Sequence, residues 1–466
     1  MHATLAFEPG LLKRHDRPGP RYTSYPTVPQ FSRSFGAEQL AAHAARSNCT
    51  PVPRALSLYV HIPFCLSPCF YCGCNRLITR DVGKGSRYVE SLRREIELVA
   101  PLFHCRREVR QLHLGGGTPN FLTLPSLERL TEALNGHFHL SRAVERDYSI
   151  ELDPRSVTTH FARALTSLGF NRVSLGVQDF DPEVQRAVNR IQSIEQTFAL
   201  IDACRDSGIR SVNVDLIYGL PRQTLNGFRH TLRQIVSARP DRIAVYGYAH
   251  LPGVFKAQHH IDASALPTPE TRLALLQLAV GELSASGYRY IGMDHFALPD
   301  DELVRAQEAG ALQRNFMGYT THANCDLIGL GMSAISHIGH SFSQNFREHK
   351  AWEAAVEAAR LPVWRGLALT PDDQVRAAVI GRLMCQGVIE IDAIEREFAI
   401  DFASYFREAL EALLPHAADG LVAVDTTRIT VTSAGQLLLR SLAMCFDAYL
   451  PRQHATSTAP DFSNIV

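Results

Sequence analysis

The chain has 466 residues, 45% hydrophobic and 20% charged, the composition of a soluble enzyme too long for one core. Lys plus Arg and Asp plus Glu both number 47, so no net field argues for nucleic acid or an anionic membrane surface as partner. Six of the ten cysteines are scattered singly and no window reaches the length of a membrane span. The start, Met1–Pro9, lacks a basic stretch followed by an apolar core, so a reducing, cytoplasmic setting is expected.

Residues 1–50 read as an N-terminal arm with a short helical pattern near Ala37–Ala45. Within it, Gly19–Thr27 cannot be regular helix, because each proline pushes its predecessor to extended geometry. Arg21, Tyr22 and Tyr25 make this strap a candidate substrate contact, with a plain surface arm as the alternative. Apolar strand-like runs follow at 56–61, 110–114, 147–152, 171–175, 211–215 and 241–246, separated by segments of 3.6-residue periodicity. Ser193 and Gln196 have capping-box spacing, Gly208 is a stop signal, and Thr224 caps a further helix. Six successive β–α units predict parallel strands with right-handed crossovers, accommodated by an α/β fold of the open or partial (β/α)6 barrel type.

Beyond residue 250 the alternation fades. A helix is predicted over 269–286, and the stretches 292–295, 315–321 and 329–336 read as Gly/Ser/Thr-rich loops walling a site. From about 366 the pattern is a mostly helical module, with helices near 371–385, 390–397 and 401–413. A hairpin at 421–424 and 428–432 follows, then an apolar helix over 433–447. Helices with a small hairpin are winged-helix-like, but no basic run favours DNA, so a lid over the barrel is expected. The predicted division is an arm at 1–50, a barrel with extensions at 51–365 and a C-terminal domain at 366–455.

The chemistry gathers at the strand ends, where β/α barrels place their sites. The first strand runs into Tyr59-Val-His-Ile-Pro-Phe-Cys65, and Cys65, Cys69 and Cys72 follow C-x3-C-x2-C spacing, with Cys74 two residues on. Thiolates are soft ligands, and iron–sulfur clusters usually take four, so three on one loop leave one iron open to another ligand. The spacing favours a cluster. A zinc site, which normally shows two separated pairs, and a thioredoxin-like dithiol stay open. Later strands end in Gly115-Gly116-Gly117-Thr118-Pro119, Glu151-Leu-Asp153, Gly176-Val-Gln178, Asp215-Leu-Ile-Tyr-Gly-Leu-Pro221 and Tyr248-Ala249-His250. No dinucleotide or P-loop spacing is present. The glycine run is either a tight turn or a place where a ligand approaches the backbone closely. Glu151, Gln178, Arg190 and Asp215 together offer acceptors for hydroxyl and amino groups and a cation for a carboxylate.

The cysteine loop resembles that of the radical S-adenosylmethionine (SAM) enzymes. The Cys72-Gly-Cys74 ending, Gly115–Pro119, Gly176-Val-Gln-Asp-Phe180, Asp215–Pro221 and Gly292-Met-Asp-His-Phe296 resemble one family among them, the oxygen-independent coproporphyrinogen III oxidases. The likeness runs from about Arg21 to residue 450. Radical-SAM haem chaperones share the three-cysteine loop but typically lack Cys74 and the Arg21–Pro26 segment. The resemblance implies a radical-SAM barrel whose Cys65, Cys69 and Cys72 ligate a 4Fe–4S cluster. Cys74 would not ligate, and is the candidate catalytic residue.

By the same resemblance two SAM molecules bind, at positions matching Tyr59, Tyr71, Gly116, Gly117, Thr118, Glu151, Gln178, Arg190, Asp215, Ala249 and Ile335. Met317 stands where some members carry glutamine, in a loop near the second SAM, and a thioether cannot donate the amide's hydrogen bonds. The implied reaction is anaerobic oxidative decarboxylation of two propionates of coproporphyrinogen III to vinyl groups, giving protoporphyrinogen IX in haem biosynthesis. A 5′-deoxyadenosyl radical derived from SAM starts each step. A reducing donor such as flavodoxin is the expected partner, and a monomer the expected state. The rival readings are a haem chaperone and a haem-modifying methyltransferase or haem-degrading enzyme.

Overall fold

The computed structural model describes residues 5–322 and 324–450, so residues 1–4 of the expected arm and 451–455 of the expected C-terminal domain lie outside the described residues. The described chain divides into two compact units, one of residues 31–275 and 324–368, the other of 5–30, 276–322 and 369–450.

The first unit is built on β1 (Ala55–Ile62), β2 (Glu108–Gly116), β3 (Asp147–Leu152), β4 (Arg172–Gln178), β5 (Ser211–Tyr218) and β6 (Arg242–Gly247). Each pairs in parallel with the next, in chain order, which is the predicted β/α succession. In β1, Leu56, Leu58, Val60 and Ile62 are at most 1% exposed, while Ser57 and His61 on the other face are also buried. That two-sided burial is what parallel strands covered by helices require. The intervening helices start where hydroxyl caps predict. Ser193 accepts from the Gln196 amide at 3.0 Å and Thr224 from the Gly227 amide at 3.1 Å. Gly208 ends the Ile194–Asp206 helix at φ +94°, a conformation open to glycine at little cost.

One expectation is corrected here. The stretch 329–336 is not a loop wall but the end of one strand and the start of the next. β7 (Cys325–Leu330) runs parallel to β1 on the side away from β2, and β8 (Ile335–Ile338), β9 (Ser341–Asn345) and β10 (Val363–Ala368) continue antiparallel. Glycine in β7 hides the strand from any propensity argument, yet a Cβ at Gly329 would stand 2.6 Å from the Ile335 carbonyl oxygen.

This flank carries a buried acid. Glu95, wholly inaccessible on the Gly83–Val99 helix, accepts from the Gly331 amide at 2.7 Å, Asn345 Nδ2 at 2.6 Å and Trp352 Nε1 at 3.1 Å. Burial pushes its carboxyl up to about 7, against these three donors. A carboxyl raised above its unfolded value binds its proton in the folded chain first. Stability therefore falls as pH rises from the ordinary glutamate range to about 7, by about 3 kcal/mol, and is level above that. The expected result is a denaturation midpoint that drops between pH 5 and pH 8 in the wild type and drops less in Glu95→Gln. Equal pH dependence in the two would refute the assignment.

The second unit gathers three separated stretches. Helices Pro371–Gln386 and Ile391–Phe398 form as predicted. The expected 401–413 helix breaks at Phe406 into Phe402–Tyr405 and Arg407–Ala418, and the expected 433–447 helix shortens to a 3-10 turn and Leu439–Met444. Val388–Glu390 adds a third strand to the predicted hairpin of Val422–Val424 and Arg428–Val431. The stretch 315–321 is half of a short hairpin, Gln313–Asn315 against Gly318–Thr320, in which the Met317 amide donates to Asn315 Oδ1 at 2.8 Å.

The N-terminal strap is part of this unit and not a surface arm. The Tyr22 hydroxyl donates to Asp447 at 2.9 Å, the Ala448 amide donates to the Tyr25 hydroxyl at 3.0 Å, and the Arg440 guanidinium binds the carbonyls of Gly19 and Pro20. Tyr22 and Tyr25 are buried. Arg21 pairs with Asp294 of the Gly292-Met-Asp-His motif while keeping part of its side chain exposed.

Candidate active site

The loop after β1 is tied down at both ends and in the middle. The Leu77 amide donates to the Pro63 carbonyl at 2.7 Å and the Thr79 amide to that of Cys65 at 3.0 Å, pairing Phe64–Cys65 with Leu77–Ile78. Asn189 Nδ2 donates to the Pro68 carbonyl at 2.7 Å, and the Phe70 amide to the Val188 carbonyl at 3.0 Å. The glycine run at the end of β2 completes the cradle. A Cβ at Gly117 would stand 2.6 Å from the Pro63 carbonyl oxygen, and one at Gly116, where φ is +116°, 2.6 Å from the His61 ring. These glycines let strand and loop touch, and Gly116 and Gly117 also face the cavity.

That cavity, of about 280 Å³, lies at the C-terminal ends of β2 to β6. Of the residues singled out from the sequence, Cys65, Cys69, Cys72, Cys74, Tyr71, Gly116, Gly117, Thr118, Glu151, Gln178, Arg190 and Asp215 line it. Tyr59, Ala249 and Ile335 do not, but each is tied to it. Tyr59 stacks on His113, whose Nε2 is 3.3 Å from Glu151. It also lies in register with Gly329, against which Ile335 packs. The Gln258 amide donates both to the Ala249 carbonyl at 3.1 Å and to that of Tyr71 at 3.0 Å.

The electrostatics suit anionic sulfur. Arg155 Nη2 and Arg190 Nη1 each lie 3.4 Å from Cys69 Sγ, and Arg76 donates to the carbonyls of Cys72 and Cys69. Asp153 joins the two guanidinium groups, 2.6 Å from the half-buried Arg155 and 3.3 Å from the buried Arg190. Arg190 also reaches the Gly176 carbonyl. A Cβ on Gly176 would stand 3.0 Å from that guanidinium, so glycine makes room for the arginine. Gln178, at the end of β4, holds φ +70°, a left-handed value uncommon for a residue with a side chain. Burial, then the charge of Glu151, pushes Asp215 up to about 6, while Asn213 and Ser174 donate to its carboxylate at 2.9 and 3.0 Å.

Two features escaped the sequence reading. Arg155 was not singled out, although an arginine two residues beyond a strand-end aspartate is a usable signal. The other is the placement of Cys74. Its amide lies 3.4 Å from Cys72 Sγ and its side chain lines the same cavity, while Gly73 between them leaves no room for a Cβ against the Phe255 ring. The hydrogen bond between the two thiols pulls Cys72 down to about 6 and drives Cys74 well up.

Three thiols on a braced loop, cations at their sulfurs and an adjoining cavity rich in acceptors fit an iron–sulfur cluster with a ligand beside it. The Radical SAM superfamily matches residues 59–235, and the HemN C-terminal domain matches residues 369–438. The chain is a radical SAM protein, a class that uses a 4Fe–4S cluster and SAM. Over 449 residues it is 50% identical to the oxygen-independent coproporphyrinogen III oxidase of Pseudomonas aeruginosa, spanning 96% of this chain and 97% of that one. The Escherichia coli oxidase is 47% identical over 96% of both. A solved structure described as coproporphyrinogen III oxidase (HemN) from Escherichia coli, a radical SAM enzyme, superposes with a TM-score of 0.91 and 45% identity, covering 96% of this chain and all of that one. The chain belongs to the oxygen-independent coproporphyrinogen III oxidase family.

Proposed function

We propose that this chain converts two propionate side chains of coproporphyrinogen III to vinyl groups without oxygen, giving protoporphyrinogen IX. The observation that carries this is the cavity joining the thiols of Cys65, Cys69 and Cys72 to Glu151, Gln178, Arg190 and Asp215, in a chain half identical from end to end to a named oxidase. Cluster and SAM, when bound, supply one-electron cleavage chemistry and removal of hydrogen from the propionate β-carbon. The chain's own part is to position and to exclude water. Cys65, Cys69 and Cys72 would hold the cluster, with Arg155 and Arg190 balancing its sulfur charge.

Glu151, Gln178 and Asp215 would accept from the hydroxyl and amino groups of SAM, and Arg190 would bind its carboxylate. Tyr59, Tyr71, Gly116, Gly117, Thr118, Ala249 and Ile335 would shape the walls for two SAM molecules. Arg21 would meet a substrate propionate, since its guanidinium keeps an exposed portion beside Asp294. A flavodoxin-like donor, a monomeric state and a cytoplasmic location complete the reading. Among the described residues no helix is long and apolar enough to cross a membrane. Along the sequence the division is an N-terminal segment to residue 50, a barrel with extensions to 365 and a C-terminal domain beyond; family matches at 59–235 and 369–438 support the last two, while residues 5–30 share a compact unit with 369–450.

The test is anaerobic incubation of the iron-loaded chain with SAM, a reductant and coproporphyrinogen III. Protoporphyrinogen is the expected product, and a methylated tetrapyrrole or unaltered bound haem would favour a rival class. Arg21→Ala should raise KM for coproporphyrinogen while SAM still perturbs the cluster's EPR signal. An unchanged KM would remove Arg21 from the substrate site.

A further inference from the structure

We infer that the outer face of the cysteine loop is the docking surface for an acidic one-electron carrier protein, an inference resting on the cluster assignment above. The first observation is a concentration of exposed apolar side chains. Among the described residues, Leu66, Ile78 and Val82 are three of ten exposed large hydrophobics, at 41%, 46% and 51% exposure. All three fall within seventeen residues, on one short supersecondary element. Leu66 follows Cys65 directly, and Ile78 is the register partner of Cys65 in the two-stranded pair. A folded chain gains nothing by leaving such groups in water, and apolar exposure concentrated on one short stretch of chain marks it as a contact segment.

The second observation is the charge around them. Arg80 and Lys84 are exposed, and neither has a carboxylate partner among the described residues. Asp81, the acid inside this run, is taken up by Arg87 at 3.0 Å. Arg347, also exposed, is brought to the same element by its carbonyl, which accepts from Asn75 Nδ2 at 2.9 Å. Small apolar contacts rimmed by free cations suit a transient encounter with a protein of opposite charge, because rim charges set association rate more than affinity.

The occupant follows from what the loop holds. A thiolate-bound cluster is re-reduced from outside, and electron tunnelling falls steeply with distance. A carrier therefore gains most by seating against the residues adjacent to Cys65. In the encounter the carrier loses one electron and the group held by Cys65, Cys69 and Cys72 gains it, with no bond made or broken.

The test uses the full iron-loaded chain and an acidic flavodoxin reduced to its hydroquinone as probe. In Arg80→Glu/Lys84→Glu the second-order rate of cluster reduction by the flavodoxin should fall about tenfold at low ionic strength, and its salt dependence should flatten. Reduction by dithionite should stay within twofold of wild type. Calorimetric titration of the same iron-loaded chain with oxidised flavodoxin should show the same loss of binding, independently of turnover. Ile78→Ser, which leaves the charges intact, should weaken binding without altering the salt dependence. Flavodoxin rates within twofold of wild type in the charge-reversed variant would overturn the inference. So would a change in its sedimentation, which would give the face to a second copy of the chain. Failure of dithionite to reduce any cluster would instead overturn the cluster assignment.

Discussion

Serine at Cys65, Cys69 or Cys72 is expected to abolish retention of iron and sulfide, whereas Cys74→Ser keeps both and loses vinyl formation. The four thiols line one cavity, so position alone does not separate them. The separation comes from the loop. Cys65 lies in the braced two-stranded pair, the Cys69 sulfur faces two guanidinium groups, and the Cys72 thiol is pulled down to about 6 by its hydrogen bond with Cys74. The Cys65 thiol is pushed up to about 11 by burial, so protonation does not single out the ligands. The C-x3-C-x2-C run does, and Cys74, outside it, has its thiol driven well up by its hydrogen bond with Cys72. A protonated thiol beside the cluster loop is a hydrogen or proton donor in waiting. Removing such a group typically costs about a hundredfold or more in rate. Iron and sulfide per chain, with protoporphyrinogen formed per cluster, read both halves of the expectation. Cluster loss in Cys74→Ser with retention in Cys72→Ser would reverse the assignment, and wild-type product yield in Cys74→Ser would reduce that residue to packing.

The second large effect is expected at Arg190. Its guanidinium, 7% exposed as a residue, is shared among Asp153, Cys69 and the Gly176 carbonyl. Arg190→Met keeps much of the side-chain volume but leaves Asp153 with Arg155 as its remaining cation. Leaving a buried charge wholly unpaired costs about 3–5 kcal/mol, and since Arg155 stays 2.6 Å from Asp153 the loss here is expected below that range. The expected result is a marked drop in melting temperature together with loss of the EPR change that SAM induces, since the carboxylate cation is gone. Arg190→Lys should recover stability better than SAM response, a point charge being a poor substitute for a fork. An Arg190→Met chain with wild-type melting temperature and SAM response would remove Arg190 from the site.

Much of this was readable from the sequence, for a physical reason. The six parallel strands are apolar runs buried on both faces, so their signal does not depend on context, and the motifs at their ends mark the rim. The caps at Ser193 and Thr224 are local chemistry and formed as spaced. The strands after residue 324 were not readable, because their signal is tertiary. β9 buries Ser341, Ser343, Gln344 and Asn345, a polar run that belongs inside because its members find specific partners: the Ile338 carbonyl for Ser341, the Ser333 carbonyl and Arg365 for Gln344, and Glu95 for Asn345. Helix breakage at Phe406 and the close approach of Phe255 to Gly73 likewise depend on ring packing that no spacing reveals. In the site, Glu151, Gln178, Arg190 and Asp215 stood out by falling at successive strand ends. Arg155 shares that position but was masked by the more familiar carboxylate motif before it.

The stitching of one unit from both ends of the chain has a consequence for how it is made. Arg440 reaches the Gly19 carbonyl across 421 residues, and Tyr22 reaches Asp447 across 425. On a ribosome the arm therefore emerges first and meets its partners last, after a delay on the order of tens of seconds at ordinary elongation rates. For that interval Tyr22 and Tyr25 have no burial site and are exposed to chaperones and proteases alike. Completion of this body is a post-translational event with very high contact order, and hence slow. A nascent chain arrested near residue 430 should yield its arm readily to limited proteolysis, whereas the released chain should protect it.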